Sequence, residues 1–256
     1  MLLLKMDIKE ALRWRSVNAL TIGVASDRWV ALAPHMSLVN LQSGCVTSDP
    51  DKEFAYALFP INAVLALQAP LPDGHPLQVG LIGRDGMLGV WAFGDMHIRP
   101  QRSVVQFAGV ALQIDINLLI AEFEIFADFR KMVFQYSNSL LNYAIQTAAC
   151  YQRHDPLQQV ARTLMMAARH LQSDCIPVTH AYLSSILGLR RETISVTATR
   201  LASKGVIKQN HGEIAILKAN ELRAVSCGCL DIFEDLYSRS PPPPVHSDHI
   251  FLRAEL

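Results

Sequence analysis

Between Thr179 and Gly205 the chain reads THAYLSSILGLRRETISVTATRLASKG, two short helical patterns split by a glycine. Leu183, Ile186 and Leu187 recur at helical spacing and form one apolar stripe. Gly188 stands where a helix commonly ends on a left-handed residue, a conformation that glycine adopts without a Cβ penalty. A second helix starts near Arg191, with Ile194, Ala198 and Leu201 as its buried face. Glu192, Ser195, Val196, Thr199 and Ser203 then point away, flanked by Arg191 and Arg200. A polar and basic face behind a glycine turn suits a helix that enters a DNA major groove. An ordinary αα-corner shares the turn, but three further features separate the two. Arg190 and Arg191 open the second helix, where unpaired N–H groups also attract phosphate. A hairpin pattern follows at once: Val206-Ile207-Lys208, a turn at Asn210-His211-Gly212, then Ile214-Ala215-Ile216. From Val178 to Lys218 six Lys/Arg face two acids, Glu192 and Glu213, in a chain of zero formal net charge. The local excess points to a polyanion partner.

The run L-x-x-I-L-G-L-R-R-E-T-I-S, Leu183 to Ser195, resembles the winged helix-turn-helix of Crp/Fnr-type bacterial transcription regulators. Their recognition helix carries R-E-T-[IV]-[SG]-R. The resemblance implies that Arg191 reads guanine and Glu192 reads cytosine N4, that Thr193 holds phosphate, and that Ser195 lies at the groove. Thr179, Arg190, Val196, Thr199, Arg200 and Lys204 complete the expected DNA-binding set. Val196 replaces the family's second arginine and weakens the preference for guanine at one step, though it suits a thymine methyl. Arg190 replaces a frequent Ser/Thr cap, at a cost of about 1 kcal/mol that a phosphate contact offsets in the complex.

At 256 residues, half of them apolar and 18% charged, the chain holds one large domain or two small ones. The Met1-Leu2-Leu3-Leu4 start is too short for a signal peptide, and no run of about 18 apolar residues occurs, so a cytoplasmic protein off the membrane is expected. Five scattered cysteines (Cys45, Cys150, Cys175, Cys227, Cys229) are no disulfide framework. The N-terminal cysteine cluster of oxygen-sensing relatives has no counterpart around Cys45. Cys227-Gly228-Cys229 is one close pair, short of the four ligands that zinc or iron–sulfur centres want, so no metal site is expected.

Residues Met6 to Leu20 read as a helix or helix pair. From about Ser37 to Asp115 short apolar runs alternate with turn signals, the texture of an all-β sandwich or barrel. Leu58-Phe59-Pro60, Pro72-Asp73-Gly74 and then G-L-I-G-R-D-G-M-L-G-V from Gly80 to Val90 resemble the β-roll of cyclic-nucleotide-binding-like sensors. The likeness is closest to a Crp/Fnr subgroup with a G-R-E-G-M-[VL]-G signature and a degenerate nucleotide site. Its glycines are expected to supply positive φ at tight corners. Nucleotide-binding members use G-E-L for the ribose hydroxyl and R-S-[AT] for the phosphate. Here Gly89-Val90-Trp91 lacks the carboxylate, while Arg102-Ser103 keeps the second pair with Arg99 nearby. Arg99, Arg102 and Ser103 are the candidate ligand residues; no cofactor is expected, cyclic AMP or GMP least of all, and an unknown effector stays open.

Asn117 to Tyr151 contains neither proline nor glycine, so one long helix is expected. Its first turns (Leu118, Leu119, Phe123, Phe126) pack on the roll, and Val133, Tyr136, Leu140, Tyr143 and Thr147 follow the 3-4 spacing of a coiled-coil seam. The resemblance implies that this helix pairs two subunits, presenting two recognition helices to a palindromic operator. Asp155-Pro156 opens the next helix beyond a hinge near His154. A terminal helix is expected from Ala219 to Tyr237, and Pro241 to Pro244 lead a polar tail.

The expected architecture is therefore α+β: a β-roll sensor (1–118), a dimerisation helix (119–153), a winged helix-turn-helix (154–230) and a Pro-rich disordered tail (231–256). The expected function is a homodimeric, sequence-specific transcription regulator, with duplex DNA, a second copy and RNA polymerase as partners. The alternative is a member impaired in DNA binding that regulates by heterodimerisation. No G-x-S-x-G, phosphate loop, H-E-x-x-H or zinc-ligand spacing is present, so there are no catalytic residues and no enzyme is expected.

Overall fold

The computed structural model describes residues 4–5, 8–50, 55–72, 74, 76–94 and 101–238. Phe54, Asp73, Arg99 and the prolines 241–244 lie outside the described residues. The chain begins with β1 (Leu4–Lys5), α1 (Ile8–Arg15), α2 (Ala19–Ile22) and α3 (Ser26–Leu32). Seven strands follow: β2 (Met36–Leu41), β3 (Val46–Ser48), β4 (Tyr56–Pro60), β5 (Val64–Ala69), β6 (Leu77–Ile82), β7 (Arg102–Phe107) and β8 (Gly109–Asp115). They build two four-stranded antiparallel sheets, β1-β2-β8-β4 and β3-β7-β5-β6.

Period-two alternation fills the space between the sheets. Val39, Leu58 and Ala111 from one meet Leu65, Leu67, Ile82 and Val105 from the other. The outer face of the first sheet (Met36, Phe59, Leu112, Ile114) is covered by the N-terminal helices. Asn18 fastens that cover: its buried amide donates to the Pro60 carbonyl (3.0 Å) and the Gly86 carbonyl (2.9 Å), and its oxygen caps α2 at Leu20 N. Val46–Ser48 carries almost no apolar signal, which is why the sequence did not mark it as a strand.

The long helix is interrupted. Asp115 caps α4 (Ile116–Ile125), Phe126 turns to extended backbone (φ −105°, ψ 110°), and α5 runs 27 residues from Ala127 to Arg153. The 3-4 stripe expected as a dimer seam is corrected by its burial. Val133, Tyr136, Tyr143 and Thr147 are all at most 7% exposed within one protomer, and Leu140 packs against two of its clusters. The physical reason is that α5 lies along its own roll and against α10, where the Tyr143 and Phe233 ring centroids are 4.4 Å apart; an amphipathic core helix has the same spacing as a coiled coil. Tyr136 anchors this packing by donating its hydroxyl to the Met87 carbonyl (3.1 Å).

The Gly80–Val90 glycines also depart from expectation. Gly89 has φ +114°, but Gly80, Gly83 and Gly86 do not have positive φ. They make room instead: a Cβ at Gly86 would overlap the Tyr136 ring and hydroxyl, and one at Gly83 would stand 2.5 Å from His170 Nδ1. This loop is where the roll meets both helices.

After Arg153 come α6 (Pro156–Leu171), β9 (Cys175–Ile176), α7 (His180–Leu187), α8 (Arg191–Ser203), β10 (Ile207–Asn210), β11 (Glu213–Ile216), α9 (Ala219–Val225) and α10 (Cys229–Ser238). Asp155 and Gln158 form a capping box with Pro156 in the first turn. Val160, Ala161 and Leu164 of α6 are buried in the core that α6 shares with α8 and α9, as their periodicity demands. Residues 231–238, expected as part of the tail, instead continue α10, which buries Leu230 and Phe233 in the same core. No helix among the described residues is long and apolar enough to cross a membrane.

Candidate nucleic-acid interface

α7 starts at Thr179, whose hydroxyl accepts from Tyr182 N (3.1 Å), and ends at Gly188 in the left-handed region (φ 64°). Ser184 Oγ closes the turn by donating to the Leu189 carbonyl (2.6 Å). Arg190 then takes extended backbone as the N-cap of α8 and makes no side-chain cap bond. The first N–H groups of α8 thus lack the usual side-chain acceptor. Both Arg190 and Arg191 are exposed beside them.

Ile194, Ala198 and Leu201 are buried, each at most 1% exposed, and Thr197 joins them. Arg191, Glu192, Val196, Thr199, Arg200, Ser203 and Lys204 are exposed, and Thr193 is half-buried. Val196 is 70% exposed in the middle of that face, an apolar group open to solvent. Ser195 is half-buried and its Oγ lies 3.2 Å from His180 Nδ1. His180 was not marked by the sequence, since a histidine in a helix's first turn carries no signal of a contact fifteen residues away.

β10 and β11 form the expected hairpin with Gly212 at φ 76°, and Lys208 is exposed on it. β9 adds a third strand along β11, too short to read from two residues. Lys218 lies beyond the hairpin, with Glu221 at 2.9 Å in an exposed ion pair.

The helix-turn-helix rests on the roll. A Cβ at Gly188 would stand 2.7 Å from Leu77 Cδ2 of β6. Tyr151 of α5 donates its hydroxyl to the Gln78 carbonyl (2.9 Å) and the Ile186 carbonyl (3.2 Å), so a single group touches roll and helix-turn-helix. Burial pushes its phenol upward, holding it as the neutral donor. Arg84 Nη1 adds a bond to Gln172 Oε1 (2.9 Å).

In the roll, Arg102 Nε lies 3.2 Å from Asp49 Oδ1, and the buried Ser103 hydroxyl meets Thr47 Oγ1 at 3.0 Å. Both groups are held by the β3 edge. Arg99, the third candidate there, falls outside the described residues. Elsewhere the structure gathers residues that the sequence kept apart: Cys150 of α5 and His154 at its C-cap stand with Cys227 and Cys229.

A β-roll, a long helix and a winged helix-turn-helix thus follow one another along the chain. Residues 158–225 match the model of the Crp-like helix-turn-helix domain. No curated protein matches the chain in sequence. Among solved structures, a transcriptional regulator of the Crp/Fnr family from Eubacterium rectale superposes with a TM-score of 0.66 at 12% identity, over 80% of this chain and 96% of that one. FixK2 from Bradyrhizobium japonicum gives 0.65 at 12% identity, over 75% and 98%. A CRP/FNR-family regulator from Thermus thermophilus gives 0.62 at 19% identity, over 74% and 97%. The chain therefore carries a Crp-like helix-turn-helix domain and has the fold of Crp/Fnr regulators.

Proposed function

We propose that the chain is a sequence-specific DNA-binding transcription regulator that acts as a homodimer on a palindromic operator. The observation that carries this reading is the start of α8, where side-chain-uncapped helix N–H groups meet two exposed arginines. Arg191 suits guanine O6/N7, Glu192 suits cytosine N4, and the bare Val196 suits a thymine methyl. Thr179, Arg190, Thr193, Thr199, Arg200 and Lys204 serve the phosphates and the groove wall, and Ser195 orients against His180.

The second copy is assigned to the outward face of α5. Phe134, Leu141 and Ile145 are each 58% exposed there. With Asn138 and Ala148 they repeat at 134, 138, 141, 145 and 148, the alternation of an a/d seam. A two-fold pairing along this stripe places two recognition helices about 34 Å apart, one DNA turn. RNA polymerase contact and a cytoplasmic setting belong to the same proposal.

Cyclic nucleotide is not the effector in this reading, since Asp49 and Thr47 already engage Arg102 and Ser103. An effector would act through the Tyr151 junction, and it must bind the two states of the dimer with different affinity. The test is selection of purified protein on random duplex DNA, with and without cyclic AMP. A two-fold symmetric motif, unchanged by cyclic AMP, is expected. Enrichment of no sequence at low salt would overturn the reading and favour a heterodimer partner.

A further inference from the structure

We propose that Cys150, His154, Cys227 and Cys229 form a mononuclear zinc site that clamps the junction between α5 and the last two helices. Cys150 lies in the last turn of α5 and His154 is the residue that caps its C-terminus, so the two stand close together. Cys227 follows α9 and Cys229 opens α10, with one glycine between them. The four ligand atoms all lie within 4.8 Å of one another. Cys150 Sγ is 3.6 Å from Cys227 Sγ, and Cys229 Sγ is 3.6 Å from His154 Nδ1. A tetrahedral ion with metal–sulfur bonds of about 2.3 Å and a metal–nitrogen bond of about 2.0 Å requires ligand–ligand edges of roughly 3.5–3.8 Å. The observed separations need only small inward shifts. They are too short to surround an iron–sulfur cluster, whose several metal atoms push the thiolates further apart.

Donor chemistry agrees with the geometry. Three soft thiolates and one imidazole in a compact set select zinc among common divalent ions. All three cysteines are buried, which suits a closed structural site more than an exposed reactive one. Gln146 Nε2 donates to Cys229 Sγ at 3.0 Å, the kind of N–H contact that stabilises a ligating thiolate.

A second observation is independent of the ligand geometry. Arg162 of α6 is 3% exposed, its guanidinium lies over the Tyr151 and Phe233 rings at 5.7 and 5.0 Å and bonds with the Tyr151 side chain, and its Nε has no hydrogen-bond partner among the described residues. A buried cation needs a counter-charge. The groups acting on it electrostatically are the phenols of Tyr143 and Tyr151 and the thiols of Cys150 and Cys227. Three thiolates around a divalent ion leave one net negative charge, which this arginine balances.

The site bridges the hinge from both sides: Cys150 and His154 precede Asp155-Pro156, and Cys227 and Cys229 follow the whole winged unit. The ion would fix how that unit leaves the long helix, whatever DNA sequence it reads.

The test uses the full chain, purified without a polyhistidine tag, under reducing conditions and without chelator. Elemental analysis is expected to give one zinc ion per chain. Replacing zinc with cobalt should produce the visible bands of tetrahedral cobalt and thiolate-to-cobalt charge transfer. Cys229→Ala and His154→Ala should lose the zinc or change the cobalt bands, whereas Cys45→Ala and Cys175→Ala should keep both. Zinc no higher than in Cys229→Ala, with no tetrahedral cobalt spectrum from reduced wild-type protein, would overturn the proposal. So would iron with acid-labile sulfide, or a Cys150–Cys227 disulfide as the isolated state. None of these readouts depends on DNA binding, so failure here is separable from failure of the regulator reading.

Discussion

The two stripes of α5 make opposite demands on mutation. Leu141 is 58% exposed in one protomer, and the proposed seam covers that remaining surface. Leu141→Ala deletes about three methylene equivalents, or about 2.4 kcal/mol at about 0.8 each on full burial. Scaled by the exposed share, the loss is about 1.4 kcal/mol per protomer and about 2.8 kcal/mol per dimer, roughly a hundredfold in the dimer dissociation constant. Val133 is 2% exposed and faces the roll, so Val133→Ala should cost about 2–3 kcal/mol of folding stability. It should leave the dimer constant of the folded protein within about threefold of wild type. Sedimentation equilibrium over a dilution series measures the dimer constant, and urea unfolding measures the stability. A dimer dissociation constant that ignores Leu141→Ala, or rises as far with Val133→Ala, would refute the assignment of the two faces.

Gly86→Ala places a methyl on the Tyr136 ring and should destabilise the fold by about 1–3 kcal/mol, read as a lower thermal midpoint. A wild-type midpoint would remove the packing explanation for this glycine. His170 is buried at the roll–α6 contact, and burial depresses its pKa below 6.5 against the opposing pull of Asp85 and with help from Arg169 and Arg84. The unfolded chain therefore binds the proton more readily, so this contribution to stability is present above about pH 6.5 and is lost as pH falls toward the folded pKa. Urea titrations at several pH values should show that slope in wild type and a shallower one in His170→Gln; equal slopes would contradict it. Val196→Arg should restore a guanine preference of about 1–3 kcal/mol at one operator step, measured as the shift in the selected motif.

The helix-turn-helix was legible because local chemistry dictates it. Gly188 takes a conformation that only glycine adopts freely, and Ile194, Ala198 and Leu201 mark an inward face that nothing else explains. The proposed dimer seam was not legible for a reason of symmetry. Val133-Tyr136-Leu140 and Phe134-Leu141-Ile145 share the same spacing, and only the position of the roll decides which stripe turns inward. The G-R-D-G run was legible as a signature but not in its physics, because Gly83 and Gly86 answer to His170 and Tyr136, residues far along the chain. The Cys/His cluster was hidden by distance too, since Cys150 and Cys227 are joined only when α10 folds back on α5.

The most direct measurement is the affinity of wild type and Arg191→Ala for the selected operator and for unrelated duplex DNA, each over a range of salt. The account predicts that Arg191→Ala loses about 1–3 kcal/mol on the operator, roughly 5- to 150-fold, with a much smaller loss on unrelated DNA. Equal losses on both duplexes would reduce Arg191 to a phosphate contact, and no loss on either would contradict the placing of α8 in the groove.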